Sequence, residues 1–326
     1  MAIVLLTDHP WPQVDLERSI LEPAGHVLIA GPQQTPPVEI VEALIEEHDP
    51  QVIMTCWALV SKRAIDRPSQ LRHVQRMGVG LDNIDVPAAT ARGAWVANVP
   101  DYCMEEVSDH AVALLLSLWR GTAALDRAVK QGEWNPGATG LRRVTGSTVG
   151  IIGYGRIGQL TATKLHGLGC KVLANSRTLL SEHAVGVELS PGVSVADLPA
   201  MQAQADAILI LAPLTPATQR LIDDGFLRGL RRKPVIINVS RGGIIATDAL
   251  VRALDAGLVS GAGLDVVEGE PTPPSSITQR ADVIMTPHIA FSSAASMEEL
   301  RRRCCEEIVR VLRGERPRHP CNQPLS

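Results

Sequence analysis

The chain has 326 residues, long for one hydrophobic core and comfortable for two. Its 31 Lys and Arg against 35 Asp and Glu leave a net charge of −4, and without a basic stripe or interleaved aromatics nothing in it asks for nucleic acid. No apolar run approaches a membrane span, and the start from Met1 to Asp8 lacks the basic, then long apolar, pattern of an export signal. The six cysteines (Cys56, Cys103, Cys170, Cys304, Cys305 and Cys321) show neither a C-x-x-C pair nor a framework spacing, so a reducing, cytoplasmic home is expected and no metal is implied.

Along the first hundred residues, short apolar strands at Ile3–Leu6, Val27–Ala30, Val52–Thr55, His73–Met77 and Ala94–Asn98 alternate with helical patterns such as Val38–Glu47. Such alternation predicts a parallel sheet flanked by helices. A long helix follows from about Glu105 to Trp119, and its run Ala111–Leu116 is too apolar for a surface face, which predicts a helix buried between domains. From Thr148 the alternation restarts, with strands expected at Thr148–Ile152, Lys171–Ala174, Ala207–Leu211, Val235–Val239, Gly261–Val266 and Val283–Thr286. Six strands make a complete doubly wound nucleotide sheet. The remaining helix, Ala295–Arg313, and Pro-rich tail, Pro317–Ser326, are too short to fold alone and must return to the first domain or cross the hinge. The expected organisation is therefore an α/β chain of two domains: a Rossmann nucleotide domain of 102–289 inserted into a discontinuous substrate domain of 1–101 plus 290–326, with a ligand cleft between them.

The strand Thr148–Ile152 opens into a turn with Gly153, Gly155 and Gly158, and a helical run follows to Gly169. This is the dinucleotide fingerprint G-x-G-x-x-G in its confirming strand-turn-helix setting. Gly153 permits the tight turn, Gly155 admits a pyrophosphate where a Cβ would collide, and Gly158 lets the helix pack on the strand. Arg156 and Ile157 lie in the first helical turn, where free N–H groups meet the phosphates.

Three further loops, each just past the carboxyl end of a nucleotide-domain strand, carry chemistry-bearing side chains, and open α/β sheets bind ligands at that edge. Asn238 to Gly243 brings Arg241, Asp265 to Pro271 brings Glu268 and Glu270, and Thr286 to His288 brings an imidazole. Arg241 is either a capping or solvated arginine or a ligand for a carboxylate, which its planar fork suits better than a lysine would. Gly242 and Gly243 beside it favour close approach of a ligand.

In order, Gly78–Asp85, Asn98–Pro100, Gly153–Gly158, Pro213–Thr218, Asn238–Gly242, Leu264–Pro271 and Pro287–His288 match seven motifs of one family. Over essentially its whole length the chain resembles the D-isomer-specific 2-hydroxyacid dehydrogenases. The resemblance implies a flavodoxin-like substrate domain, NADP or NAD as cofactor, a small 2-keto acid or 2-hydroxy acid as substrate, and a homodimer. It implies that Arg241 binds the substrate carboxylate and that His288 is the general acid/base, with Glu270 as its companion because a neighbouring carboxylate stabilises imidazolium. Register selects Glu270 over Glu268, which is expected to be solvated. Val79 and Gly80, in the glycine loop that begins at Gly78, would present backbone N–H groups to the carboxylate, although a simple turn remains open. Pro213, Thr215, Thr218, Val239, Ser240 and Asp265 would contact the nicotinamide end or the ribose, although Pro213 and Thr215 also suit an ordinary turn. Relatives that oxidise phosphite carry Lys where Val79 stands, and formate dehydrogenases lack the Glu, so neither activity is expected.

Two departures from the family pattern bear on specificity. At the end of the second nucleotide strand, Ser176 and Arg177 stand where an acidic residue usually meets the ribose 2′-hydroxyl. A 2′-phosphate would not be repelled there and Arg177 could pair with it, so NADP(H) is expected to be preferred over NAD(H); a solvated Arg177 is the alternative. The residues after His288 run through Phe291 where many members have two glycines. That aromatic resembles the branch that includes the C-terminal-binding-protein corepressors, and Phe291 either lines the substrate pocket or fills the domain interface. A dinucleotide-sensing interaction protein with incidental turnover is the alternative function.

Overall fold

Short runs of Val, Ile and Leu alternate with amphipathic stretches to give β1 (Ile3–Leu6), α1 (Asp15–Leu21), β2 (Val27–Ala30), α2 (Val38–His48), β3 (Val52–Thr55), α3 (Lys62–Asp66), β4 (His73–Arg76), α4 (Val86–Ala91) and β5 (Trp95–Ala97). The computed structural model describes residues 1–137 and 140–324. It divides into two compact units, Met1–Tyr102 with Ser293–Ser326, and Cys103–Ser292.

In the first unit the five strands are parallel, in the order β2-β1-β3-β4-β5. That is the flavodoxin-like order, whose direction reverses between β1 and β3. Helix starts are set by side chains: Ser61 accepts from the Ala64 N–H, and Asp85 accepts from the Ala88 N–H ahead of a proline in the first turn. Asp8, buried just past β1, fills the crevice at the reversal. Its carboxylate accepts the N–H groups of Cys56, Trp57 and Ala58 at 3.0, 2.8 and 3.1 Å.

The second unit contains α5 (Met104–Arg120), α6 (Thr122–Lys130), β6 (Thr148–Ile152), α7 (Arg156–Gly167), β7 (Lys171–Asn175), α8 (Arg177–Glu182), β8 (Glu188–Ser190), β9 (Val193–Val195), α9 (Leu198–Gln204), β10 (Ala207–Ile210), α10 (Asp224–Arg228), β11 (Val235–Asn238), α11 (Thr247–Asp255), β12 (Gly261–Leu264), α12 (Ser275–Thr278) and β13 (Val283–Met285). Its sheet has eight strands, in the order β13-β12-β11-β10-β6-β7-β9-β8. Two of these, β8 and β9, were not expected. Each is three residues long, too short for a period to show, and β9 exists because β7 offers it a parallel partner while β8 closes the edge antiparallel. Aliphatic side chains such as Ile208, Ile236, Leu250 and Leu264 build the core, with Phe226 its aromatic. Within this unit α5 packs against α7, β11 and β12, burying Val107, Ala111, Leu114, Leu115 and Trp119, while Ala113 of the apolar run is exposed.

The chain then returns to the first unit as α13 (Ala294–Leu312), started by a capping box in which Ser293 and Ser296 exchange hydrogen bonds. Arg301 on α13 makes a bidentate pair with the fully buried Glu17 of α1, both contacts at 2.7 Å, and lies over the Trp11 ring. The proline-rich tail lies along β5: the Cys321 N–H donates to Val96 O at 2.7 Å and the Asn322 side chain accepts from the Val96 N–H at 2.8 Å. It covers an edge strand that would otherwise present open backbone groups. The last two residues of the tail lie outside the described residues.

Candidate active site

The sheet order of the second unit arranges the expected site residues in a row. Ser176 and Arg177 follow β7, the glycine turn follows β6, Pro213 to Thr218 follow β10, Val239 to Arg241 follow β11, Asp265 to Glu270 follow β12, and His288 follows β13. From β7 to β13 these strands are parallel neighbours, so every one of these loops leaves the same edge. Strands about 4.8 Å apart turn that edge into a track for an extended ligand.

The three fingerprint glycines have different causes. A Cβ on Gly153 would collide with the Ala212 backbone nitrogen, and its φ of 104° is open to glycine. A Cβ on Gly158 would collide with the Gly153 carbonyl oxygen. Gly155 is unlike both, because a Cβ there meets nothing within 4 Å. Packing within the fold gives no reason for glycine at that position, and the open space is what close approach of a pyrophosphate needs. Gly155 is also the N-cap of α7 and brings no side chain to its free N–H groups, so the first turn at Arg156 and Ile157 fits a dinucleotide pyrophosphate. At the end of β7, Ser176 caps α8 by accepting the Leu179 N–H at 3.1 Å, and Arg177 is exposed.

The loop after β10 holds itself together. Thr218 Oγ1 donates to Pro213 O at 2.7 Å and accepts the Thr215 N–H at 2.8 Å, so this threonine shapes the turn. Ser240 Oγ donates to Ala212 O, tying the loop after β11 to the one after β10, and Val239 is buried. Arg241 leaves β11 in extended conformation; the Asn238 side chain holds its carbonyl at 2.9 Å, and its guanidinium donates to Ser240 O at 2.8 Å. Gly242 has a packing cause that the sequence reading did not give. A Cβ there would collide with the Val267 backbone, so this glycine serves the packing of two adjacent loops, and close ligand approach is not needed to explain it.

His288 Nδ1 lies 3.1 Å from Glu270 Oε1, both side chains partly exposed. Glu268, expected to be solvated, instead accepts the Thr247 N–H at 2.8 Å and sits 3.6 Å from Arg220. It serves the start of α11, where a carboxylate answers free N–H groups. Asp265 turns inward. It is buried, and its carboxylate accepts from the Thr286 hydroxyl at 2.6 Å and from the N–H groups of Ile289 and Ala290 at 2.9 Å each. His110 on α5, unremarked in the sequence, reaches Thr286 Oγ1 at 2.9 Å. Its spacing within an apolar helix gave no signal, since the contact spans 176 residues. Phe291, partly exposed, ends the loop.

In the first unit, Asn98 holds the Val79 carbonyl at 2.6 Å and the Val99 N–H holds the Gly78 carbonyl at 3.1 Å. Val79 is exposed, and a Cβ on Gly78 would fall 2.6 Å from the Arg76 guanidinium.

A doubly wound sheet with a glycine turn open to a pyrophosphate, and an imidazole-carboxylate pair farther along the same edge, defines a dinucleotide-dependent oxidoreductase. Residues 112–290 match the model of the D-isomer specific 2-hydroxyacid dehydrogenase NAD-binding domain. The chain is 34% identical over 313 residues to a glyoxylate reductase of Pyrococcus horikoshii, covering 94% of this chain and 92% of that one. It is 34% identical to a D-3-phosphoglycerate dehydrogenase of Mycobacterium tuberculosis, over 84% of this chain and 51% of that protein. Among solved structures it is similar to an NADPH-dependent glyoxylate/hydroxypyruvate reductase from Sinorhizobium meliloti in complex with NADP and malonate, with a TM-score of 0.83, 29% identity, and coverage of 98% of this chain and 96% of that one. The chain belongs to the D-isomer-specific 2-hydroxyacid dehydrogenase family and is a D-2-hydroxyacid dehydrogenase. No helix among the described residues is long and apolar enough to cross a membrane.

Proposed function

We propose that this enzyme reduces a small 2-keto acid, glyoxylate or hydroxypyruvate foremost, to the 2-hydroxy acid, of D configuration where the product is chiral, with NADPH preferred over NADH. The contact of His288 with Glu270 at 3.1 Å carries the reading, because it couples a proton donor to a carboxylate on the edge that receives the dinucleotide. Arg241 orients the substrate through its carboxylate, and the same reading assigns Val79 and Gly80 to that carboxylate. Neither of their N–H groups donates to another described residue. When bound, the nicotinamide supplies a hydride to the carbonyl carbon. His288 gives its proton to the carbonyl oxygen as negative charge develops there, and Glu270 stabilises the imidazolium beforehand.

Cofactor choice rests on the end of β7, where Arg177 is exposed and no carboxylate stands to repel a 2′-phosphate. The similar Sinorhizobium meliloti enzyme was solved with NADP. A homodimer is supported by α6, which among the described residues buries none of its own while exposing Leu125 and Val129. Six cysteines, all thiols, support a reducing cytoplasm. The corepressor-like alternative gains nothing from the relatives described.

Loss of NADPH and NADH absorbance with a panel of 2-keto acids tests this directly. Arg241→Ala and His288→Ala are each expected to lower kcat/KM by about 10²–10⁴-fold while dinucleotide affinity stays within about threefold. Either variant retaining native kcat/KM defeats its residue's role, and no turnover of any keto acid defeats the function.

A further inference from the structure

Proton counting around Thr286 fixes the direction of a hydrogen-bond chain that runs into the His288 loop. A threonine hydroxyl has one proton. At 2.6 Å from the buried Asp265 carboxylate, that proton is on the Thr286–Asp265 contact. Thr286 Oγ1 must then accept from His110 Nε2, 2.9 Å away, so His110 carries hydrogen on Nε2. His110 Nε2 also lies 3.7 Å from Asp265 Oδ1 and is the basic group within ion-pair distance of that carboxylate among the described residues.

Beyond Asp265 the chain becomes backbone. The carboxylate holds the Ile289 and Ala290 N–H groups, and Asp265 O accepts the His288 N–H at 2.8 Å. His288 lies between these anchors with φ of 52°, a left-handed conformation that a non-glycine residue keeps only where its surroundings impose it. The imidazole's aim toward Glu270 therefore depends on the Asp265 carboxylate staying in place. A buried carboxylate stays in place when its donors and a compensating cation or dipole are supplied.

We infer that His110 is a positioning residue for proton transfer: through Thr286 it fixes Asp265, and through Asp265 the backbone that aims His288. This rests on the proposed role of His288 as general acid. Among the described residues the His110 side chain is hydrogen-bonded to Thr286 and not to the glycine turn or the Ser176–Arg177 end of the sheet. The Asp265 carboxylate, expected from the sequence to meet the cofactor, is instead taken up by Thr286, Ile289 and Ala290, so loss of His110 falls on turnover rather than on dinucleotide binding. Misplacing a reacting group by about 1 Å can cost about a hundredfold in rate.

The test uses the full chain with NADPH and whichever of glyoxylate and hydroxypyruvate turns over faster. His110→Phe, which keeps the ring and removes the donor, is expected to lower kcat about 10- to 100-fold, with KM for the keto acid and Kd for NADPH within about threefold. His110→Gln, whose amide can donate to Thr286, recovers kcat to within about fivefold of native. Thr286→Val behaves like His110→Phe, Thr286→Ser like the native chain, and the double variant is no slower than Thr286→Val because both act on one chain. Should His110→Phe fail to fold, the Val and Ser pair at position 286 carries the test alone. A kcat for His110→Phe or Thr286→Val within twofold of native overturns the inference, as do losses that multiply in the double variant or a His110→Gln no better than His110→Phe. His288→Ala is measured alongside. If it stays active the underlying reading has failed; if it is inactive while His110→Phe is native-like, only this inference has.

Discussion

His73 on β4 makes the first unit sensitive to acid, by an amount the structure sets. The imidazole is fully buried, its Nε2 2.9 Å from Gln75 Oε1 and its Nδ1 3.2 Å from Trp95 O. Burial disfavours the charged form more than these two contacts favour it, so the pKa is pushed down to about 4. In the unfolded chain the same group titrates near 6.5. Between those values the unfolded state binds more protons, so stability is intact above pH 6.5 and falls as pH drops toward 4. For a shift from 6.5 to about 4, linkage gives a loss of about 2 kcal/mol by pH 5 and about 3 kcal/mol by pH 4. The assay is urea unfolding at pH 7 and pH 5 for the native chain and for His73→Leu, which cannot titrate. The variant loses stability at both pH values because the buried Gln75 and Trp95 oxygens lose their imidazole partner, but its difference between the two should be smaller by about 2 kcal/mol. Equal differences in the two proteins, or a His73 imidazole resonance that titrates near the unfolded value, would refute the reasoning.

Other substitutions probe other parts of the architecture. Gly155→Ala should leave the melting temperature unchanged and weaken dinucleotide binding at least about tenfold in a fluorescence titration, since the added methyl occupies ligand space; native affinity would contradict the assignment. Gly153→Ala should lower both, with about 1–3 kcal/mol from backbone strain alone. Arg177→Asp is expected to lower the NADPH to NADH ratio of kcat/KM by about 10- to 100-fold, the worth of a charge-assisted hydrogen bond; an unmoved ratio would show a solvated arginine. Arg301→Leu strands the buried Glu17 carboxylate and should cost about 3–5 kcal/mol in urea unfolding, most of it recovered when Glu17→Leu is added.

The strand-helix alternation was legible because parallel strands are buried on both faces and read as apolar runs, as at Val235–Asn238. Glu270 was expected beside His288, over Glu268, from register against the family pattern, and its Oε1 lies 3.1 Å from His288 Nδ1. Two kinds of feature were hidden. Strands of three residues, such as β8 and β9, carry too few positions to show a period. Long-range polar contacts have no local trace: nothing near His110 announces Thr286, and nothing near Glu268 announces the start of α11. Glycines are ambiguous in sequence for a related reason. Gly242 and Gly155 look alike in sequence, yet a Cβ on one would collide with the Val267 backbone and a Cβ on the other would meet nothing within 4 Å.

Asp8 gives the first unit a tethered occupant. At the reversal point of a flavodoxin-like sheet, where related architectures receive a phosphate from solution, three converging amide hydrogens already grip a carboxylate belonging to the chain itself. An inorganic or nucleotide phosphate arriving there would have to evict a group that never diffuses away. The plug thus commits those three donors to the chain's own carboxylate.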